Sequence, residues 1–282
     1  MTDQISYGHL KSTDIYSLIW PLIESKSFMP RIPDGKLIPV LEGIQTQTPW
    51  IHNNENDIKF HCRLWDNVSF KIISKNLPEP YRFVPRGCQE CWKVTVKLKT
   101  LEQLFAIHEM QKKMNMTCKC GAEMRDTVKG LYGAYFYNKS LEEGLECYEI
   151  VKAELLKNDL LAPLIDEVDQ DGRTTRIILK RGCTEYEHLI GPSDKWEISE
   201  TQNVFENMVE EYFDLDQNKG GQPPQLITHI KCGWIEWAAC NNDMTYLKYT
   251  DGAGLPKIGD PKKIRDNIPD YITYHQPELK GD

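Results

Sequence analysis

The chain has 282 residues, 40% hydrophobic and 10% aromatic, enough to bury one large core or two modest ones and too apolar for disorder to be its main state. A formal net charge of −8 argues against a nucleic-acid or anionic-membrane binder, since both need a basic face. No apolar run approaches the roughly 20 residues of a membrane span, and the polar first ten residues lack the basic and apolar regions of a secretory signal, so the chain is expected in the cytoplasm.

Residues 1–80 are loosely patterned. A short helix is expected over 14–25, broken at Pro21, followed by an extended stretch punctuated by Pro30, Pro33, Pro39 and Pro49. Strands over 58–65 and 68–73, joined by a turn at Asp66-Asn67, make this segment an irregular β lobe.

The segment 81–192 is sharper. Trp92, Val94, Val96 and Leu98 alternate with Lys93, Thr95, Lys97 and Lys99, the period-two pattern of a strand with one buried face. Thr100 and Gln103 form a capping box that opens a helix to about Met114. A strand over 120–125, a turn at Lys129-Gly130 and a strand over 131–137 follow. Ser140 and Glu143 cap a second helix, whose Leu141, Leu145, Tyr148, Val151 and Leu155 share a side. After an acidic, turn-rich loop over 166–172, residues 176–181 read as a last strand. The order β-α-β-β-α-β resembles the ferredoxin-like split β-α-β sandwich and implies an α+β fold of that kind, with no function attached.

Residues 193–282 are expected to be a helical extension with an extended tail. An acidic amphipathic helix covers 200–213, Gly220-Gly221 ends it, and Pro223-Pro224 opens another that carries Ile227, Ile230, Trp234 and Trp237.

Nine cysteines with no secretory signal make a poor disulfide framework and point to metal or redox chemistry. Cys88 and Cys91 form C-x-x-C, and Cys118 and Cys120 form C-x-C before Gly121. Two such pairs can give the four thiolates of a zinc site or an iron–sulfur cluster, and the spacing does not choose between them. In the ferredoxin-like topology the starts of strands one and two and the end of strand four share one sheet end. That brings in Cys183 as a fifth candidate, within a repeated tripeptide: Arg86-Gly87-Cys88 and Arg181-Gly182-Cys183. Cys147, Cys232 and Cys240 read as packing residues.

The leading expectation is therefore a cytoplasmic metalloprotein whose partner is a protein or a small molecule. A second is an enzyme using the segment from Cys183 to His188, where Glu185, Glu187 and His188 are candidate acid, base or ligand groups and the alternative is a solvated loop. A third is an RNA-binding module. Residues 129–137 resemble the aromatic third strand of RNA-recognition modules, with Leu131 and Gly133 standing where stacking aromatics are expected.

Overall fold

A computed structural model describes residues 28–30, 37–39, 49–53, 83–170, 172, 174–211, 222–266 and 273. The expected helix over 14–25 and strands over 58–65 and 68–73 lie outside the described residues. In the N-terminal part β1 (Phe28–Pro30) pairs antiparallel with β2 (Leu37–Pro39), and β3 (Trp50–Asn53) follows. Then come α1 (Arg86–Gln89), β4 (Trp92–Leu98), α2 (Leu101–Met114), β5 (Cys118–Ala122), β6 (Tyr132–Asn138), α3 (Leu141–Leu156) and β7 (Ile177–Arg181). The chain continues through α4 (Thr184–Ile190), α5 (Glu200–Glu210) and α6 (Pro224–Cys240).

The fold is mixed α/β, with a five-stranded sheet in the order β3-β5-β6-β4-β7 and antiparallel at every pairing. Because β4 and β5 are both antiparallel to β6, they run the same way. Trp92 opens β4 opposite Arg181, which closes β7. Strand β5 begins two residues earlier than its side-chain pattern suggests. Strand β3, read from its proline-rich flanks as irregular, adds to the sheet by pairing with β5.

Both capping boxes form. The Thr100 side chain accepts from Gln103 N at 3.2 Å while the Gln103 side chain accepts from Lys99 N at 2.8 Å. The Ser140 hydroxyl accepts from Glu143 N at 3.2 Å while the Glu143 carboxylate accepts from Lys139 N at 2.8 Å. These pairings satisfy the helix-start donors that no earlier turn can reach.

Helices α2 and α3 cover one face of the sheet, and α6 packs across α2, β3 and β5. A single apolar core takes in Ile51 of β3, Val94 and Val96 of β4, Phe136 of β6, Val151 of α3 and Trp234 of α6. Trp234 is fully buried, and its indole donates to the Pro49 carbonyl at 2.7 Å. The same carbonyl accepts from Ala122 N at 3.2 Å. A Cβ on Gly121 would lie 2.1 Å from that oxygen, so the seam between β3 and β5 requires glycine there.

Asp243, just beyond α6, ties three elements. One carboxylate oxygen accepts from Leu101 N at the start of α2 (2.6 Å) and from the Tyr132 hydroxyl of β6 (2.7 Å), and the other accepts from Thr245 N (3.1 Å). Replacing Asp243 by Ala leaves these donors unanswered beside the positive end of a helix dipole. Asp243→Ala is expected to lower unfolding free energy by about 3 kcal/mol, read by urea denaturation.

His108 of α2 is 2% exposed, with its ring edge-on to Trp234 at 6.0 Å and Nδ1 without a hydrogen-bond partner. Burial, helped by the Lys231 ammonium, lowers its pKa to about 4, so it is neutral in the folded state at pH 7. The unfolded chain takes up this proton near pH 6.5, before the folded chain does, so this contribution to stability is present at neutral pH and lost as pH falls towards 4. The expected loss is about 2 kcal/mol between pH 7 and 5. His108→Leu should remove that part of the acid limb in urea titrations at the two pH values.

Candidate active site

Strand β4 has two unlike faces. Val94, Val96 and Leu98 enter the apolar core, while Lys93, Thr95 and Lys97 point to the other side. The pairing register extends that second face to Tyr135 and Tyr137 of β6, Lys119 of β5, and Ile178 and Lys180 of β7. Although polar, much of it is covered: Lys93 is 7% and Lys180 4% exposed.

Cys183 reaches this face through a tight turn. After β7, Gly182 adopts φ 59°, and a Cβ there would lie 2.4 Å from the Trp196 ring. Gly182 N donates to the Cys91 carbonyl at 2.8 Å, and the Arg181 guanidinium donates to the carbonyls of Gln89 (2.7 Å) and Ser193 (2.9 Å). These bonds seat the second Arg-Gly-Cys tripeptide against the first. Cys183 packs against the small cluster of Val84, Cys88, Tyr186 and Trp196.

The half-buried Cys183 presents Sγ 3.2 Å from the Lys93 ammonium. Burial works against the charge on Lys93, but Cys183, Cys91 and Glu185 outweigh it and hold its pKa above the usual lysine range. An ammonium in contact with sulfur favours the thiolate, the nucleophilic form of cysteine.

The segment from Cys183 to His188 is not a loop. Residues from Thr184 onward form α4, with Cys183 as its preceding cap residue. Tyr186 is 1% exposed and Glu187 fully buried, so this helix is anchored through one apolar ring and one charge. Glu185 pairs with Arg125, which also binds Glu123 through bonds of 2.8 and 2.6 Å and the Tyr135 hydroxyl at 3.1 Å. Burial raises the Glu185 pKa, but Arg125 overrides it and brings it to about 2, so Glu185 is a carboxylate at neutral pH and not an acid. Its Oε2 is buried without a hydrogen-bond partner. Glu187 pairs with Lys180 and accepts from Ser193 N (3.3 Å) and Thr273 N (2.9 Å), which makes it a structural tie. His188 lies further along α4, with Nε2 buried and unpartnered.

The cysteines divide between the two faces. Cys91 continues the side of β4 that carries Lys93; Cys88 sits in α1 beside Tyr186 and Trp196. Cys118 and Cys120 alternate on β5 to the core side, fully buried in the cluster that holds Val94, Val96 and Phe136. The C-x-x-C and C-x-C pairs thus meet the sheet from opposite sides, and Cys183 joins only the first. The four-thiolate shell that the spacing suggests does not assemble. Among the described residues no three His, Cys, Asp or Glu side chains are placed to hold a metal ion. Burial also pushes the Cys120 thiol well up and Cys147 up to about 11, which suits packing residues. Cys240 is buried and donates to the Ile258 carbonyl at 2.8 Å, whereas Cys232 is exposed on α6 rather than packed.

Lys93 is the residue that spacing rules pass over. Its signal is parity: it lies two residues after Cys91 on the same strand face, and the antiparallel pairing of β4 with β7 brings it beside Cys183. No family model matches the chain, and no curated protein and no solved structure is significantly similar to it.

Proposed function

We propose that the chain is an enzyme whose nucleophile is the Cys183 thiolate, held in its charged form by Lys93, on a ferredoxin-like sandwich extended at one edge by β3. The contact of 3.2 Å between the Lys93 ammonium and Cys183 Sγ carries this reading. A lysine 7% exposed, paired with a half-buried cysteine, is an expensive arrangement for packing alone. Glu185 acts through Lys93 by keeping it cationic, and Arg125 orients Glu185.

The ferredoxin-like assignment draws on the β-α-β-β-α-β order from β4 to β7 and on the neighbours β5-β6-β4-β7. A thiolate of this kind needs a reducing compartment, which favours the cytoplasm. No helix among the described residues is long and apolar enough to cross a membrane. A small-molecule partner fits better than RNA. The rings that a base would stack on already face a lysine of the chain, with Lys119 Nζ 4.6 Å from the Trp50 ring and 5.4 Å from Tyr135.

Alkylation with iodoacetamide, in which an S–C bond forms and iodide leaves, tests the reading with the exposed Cys232 as internal reference. At pH 7 Cys183 is expected to react at least about tenfold faster than Cys232, as mapped by peptide mass spectrometry. Lys93→Met should abolish that advantage and move the Cys183 rate profile to higher pH. Equal rates at the two cysteines in the unaltered protein, or an unchanged profile in Lys93→Met, would sink the proposal.

A further inference from the structure

Beside the thiol, the polar face of β4 opens on a small pocket of about 40 Å³. Its lining carries Lys93, Lys97, Arg125, Lys129 and Lys180 against one carboxylate, Glu123. Arg125 answers Glu123 and Glu185, Lys180 answers Glu187, and Lys93 answers Cys183. Lys97 and Lys129 complete the lining on the side away from the thiol. Burial lowers the Lys97 pKa, and the neighbouring cations Arg176, Lys129 and Lys180 lower it further.

The pocket also holds a buried donor with nothing to donate to. Thr95 is 7% exposed, and its Oγ1 is buried without a hydrogen-bond partner. A buried hydroxyl left unsatisfied destabilises the fold, and a ligand oxygen would answer it. Gly133, paired with Lys97 across the sheet, lies against the Tyr135 ring, whose hydroxyl a Cβ there would approach to 3.3 Å.

From this geometry we infer that the pocket is an anion subsite that takes the phosphoryl group of a small phosphorylated substrate. Thr95 Oγ1 donates to one phosphoryl oxygen, and the ammonium groups of Lys97 and Lys129 neutralise the dianion. That the anion is part of a substrate rests on the thiol reading; that an anion binds does not. Thr95 lies two residues from Lys93 along β4, about 7 Å, so a phosphoryl group held there places an electrophilic carbon a few bonds away within reach of Cys183.

The probe is inorganic phosphate, titrated at constant ionic strength against chloride and followed by amide shifts in ¹⁵N-labelled protein, with sodium acetate as a parallel arm for carboxylates. Saturable shifts are expected at Thr95–Lys97 and at Val128-Lys129, tighter for phosphate than for acetate. Thr95→Val, nearly isosteric, should weaken phosphate binding about fivefold and Lys97→Met about tenfold or more, with melting temperatures confirming that both fold. Cys183→Ser should bind phosphate as the unaltered protein does, so this readout survives a failure of the thiol reading. Phosphate should also slow alkylation of Cys183. Shifts that do not saturate, or affinities unchanged in both Thr95→Val and Lys97→Met, would overturn the anion subsite. Tighter binding of acetate would overturn the phosphoryl assignment. Saturable binding without any effect on the Cys183 alkylation rate would overturn its place beside the thiol.

Discussion

Strand β4 lies between β6 and β7 and is covered on both faces, yet every residue on one face is Lys or Thr. Apolar packing solves only the side of Val94, Val96 and Leu98. On the other side Lys93, and Lys180 across the pairing with β7, can be covered only if anions come with them. Much of the local architecture meets that demand. Glu187 reaches Lys180 from α4, Cys183 and Glu185 sit by Lys93, and Arg125 links Glu185 to Glu123 across the strand ends. Removing one member of such a set strands a charge out of water, which costs more than the pair as a whole contributes. The turn at Gly182 follows from the same demand, because α4 must begin at once after β7 for Glu187 to arrive over Lys180.

The elements that are legible in the sequence are those specified by local chemistry. Thr100 with Gln103 and Ser140 with Glu143 announce helices because the side chains that satisfy the helix-start donors lie within four residues of them. Alternation over β4 and β6 is legible because side-chain direction reverses at each residue. What escaped was set by distant partners. Strand β3 is only four residues long and exists through its pairing with β5 and the Pro49 carbonyl that Trp234 holds. Helix α4 shows little apolar periodicity in Thr-Glu-Tyr-Glu-His, since a buried ion pair and one tyrosine do the anchoring that leucines do elsewhere.

The cysteines show the same division between local and distant information. Spacing says that Cys88 and Cys91, or Cys118 and Cys120, can turn two thiols towards one point. It does not say on which side of a sheet that point lies. Side follows from parity once a register is known. Cys118 pairs with Phe136, and Phe136 with Val94, so Cys118 belongs to the core side, whereas Cys91 shares its side with Lys93. Sequence reasoning placed Cys88, Cys91, Cys118, Cys120 and Cys183 at one sheet end; the register turns Cys118 and Cys120 to the core side, and Lys93 beside Cys183 lay outside the spacing rules.

The C-terminal tail, which reads as a featureless run of glycine, proline and charge, completes the arrangement from behind. The Lys262 ammonium donates to the carbonyls of Glu123 (2.7 Å), Val128 (2.6 Å) and Gly130 (2.6 Å), and Arg265 binds Asp126 at 2.6 Å. The loop so held carries Glu123, Arg125 and Lys129, three of the groups that line the pocket. Its carbonyls would otherwise need water or a ladder partner, and a single ammonium satisfies three of them at once. Because hydrogen bonds to a charged donor are about twice as strong as neutral ones, this clamp can hold a polar loop that has little apolar surface of its own. The position of Arg125, and through it the charge on Glu185 and Lys93 beside Cys183, therefore depends on residues more than 130 positions later in the chain.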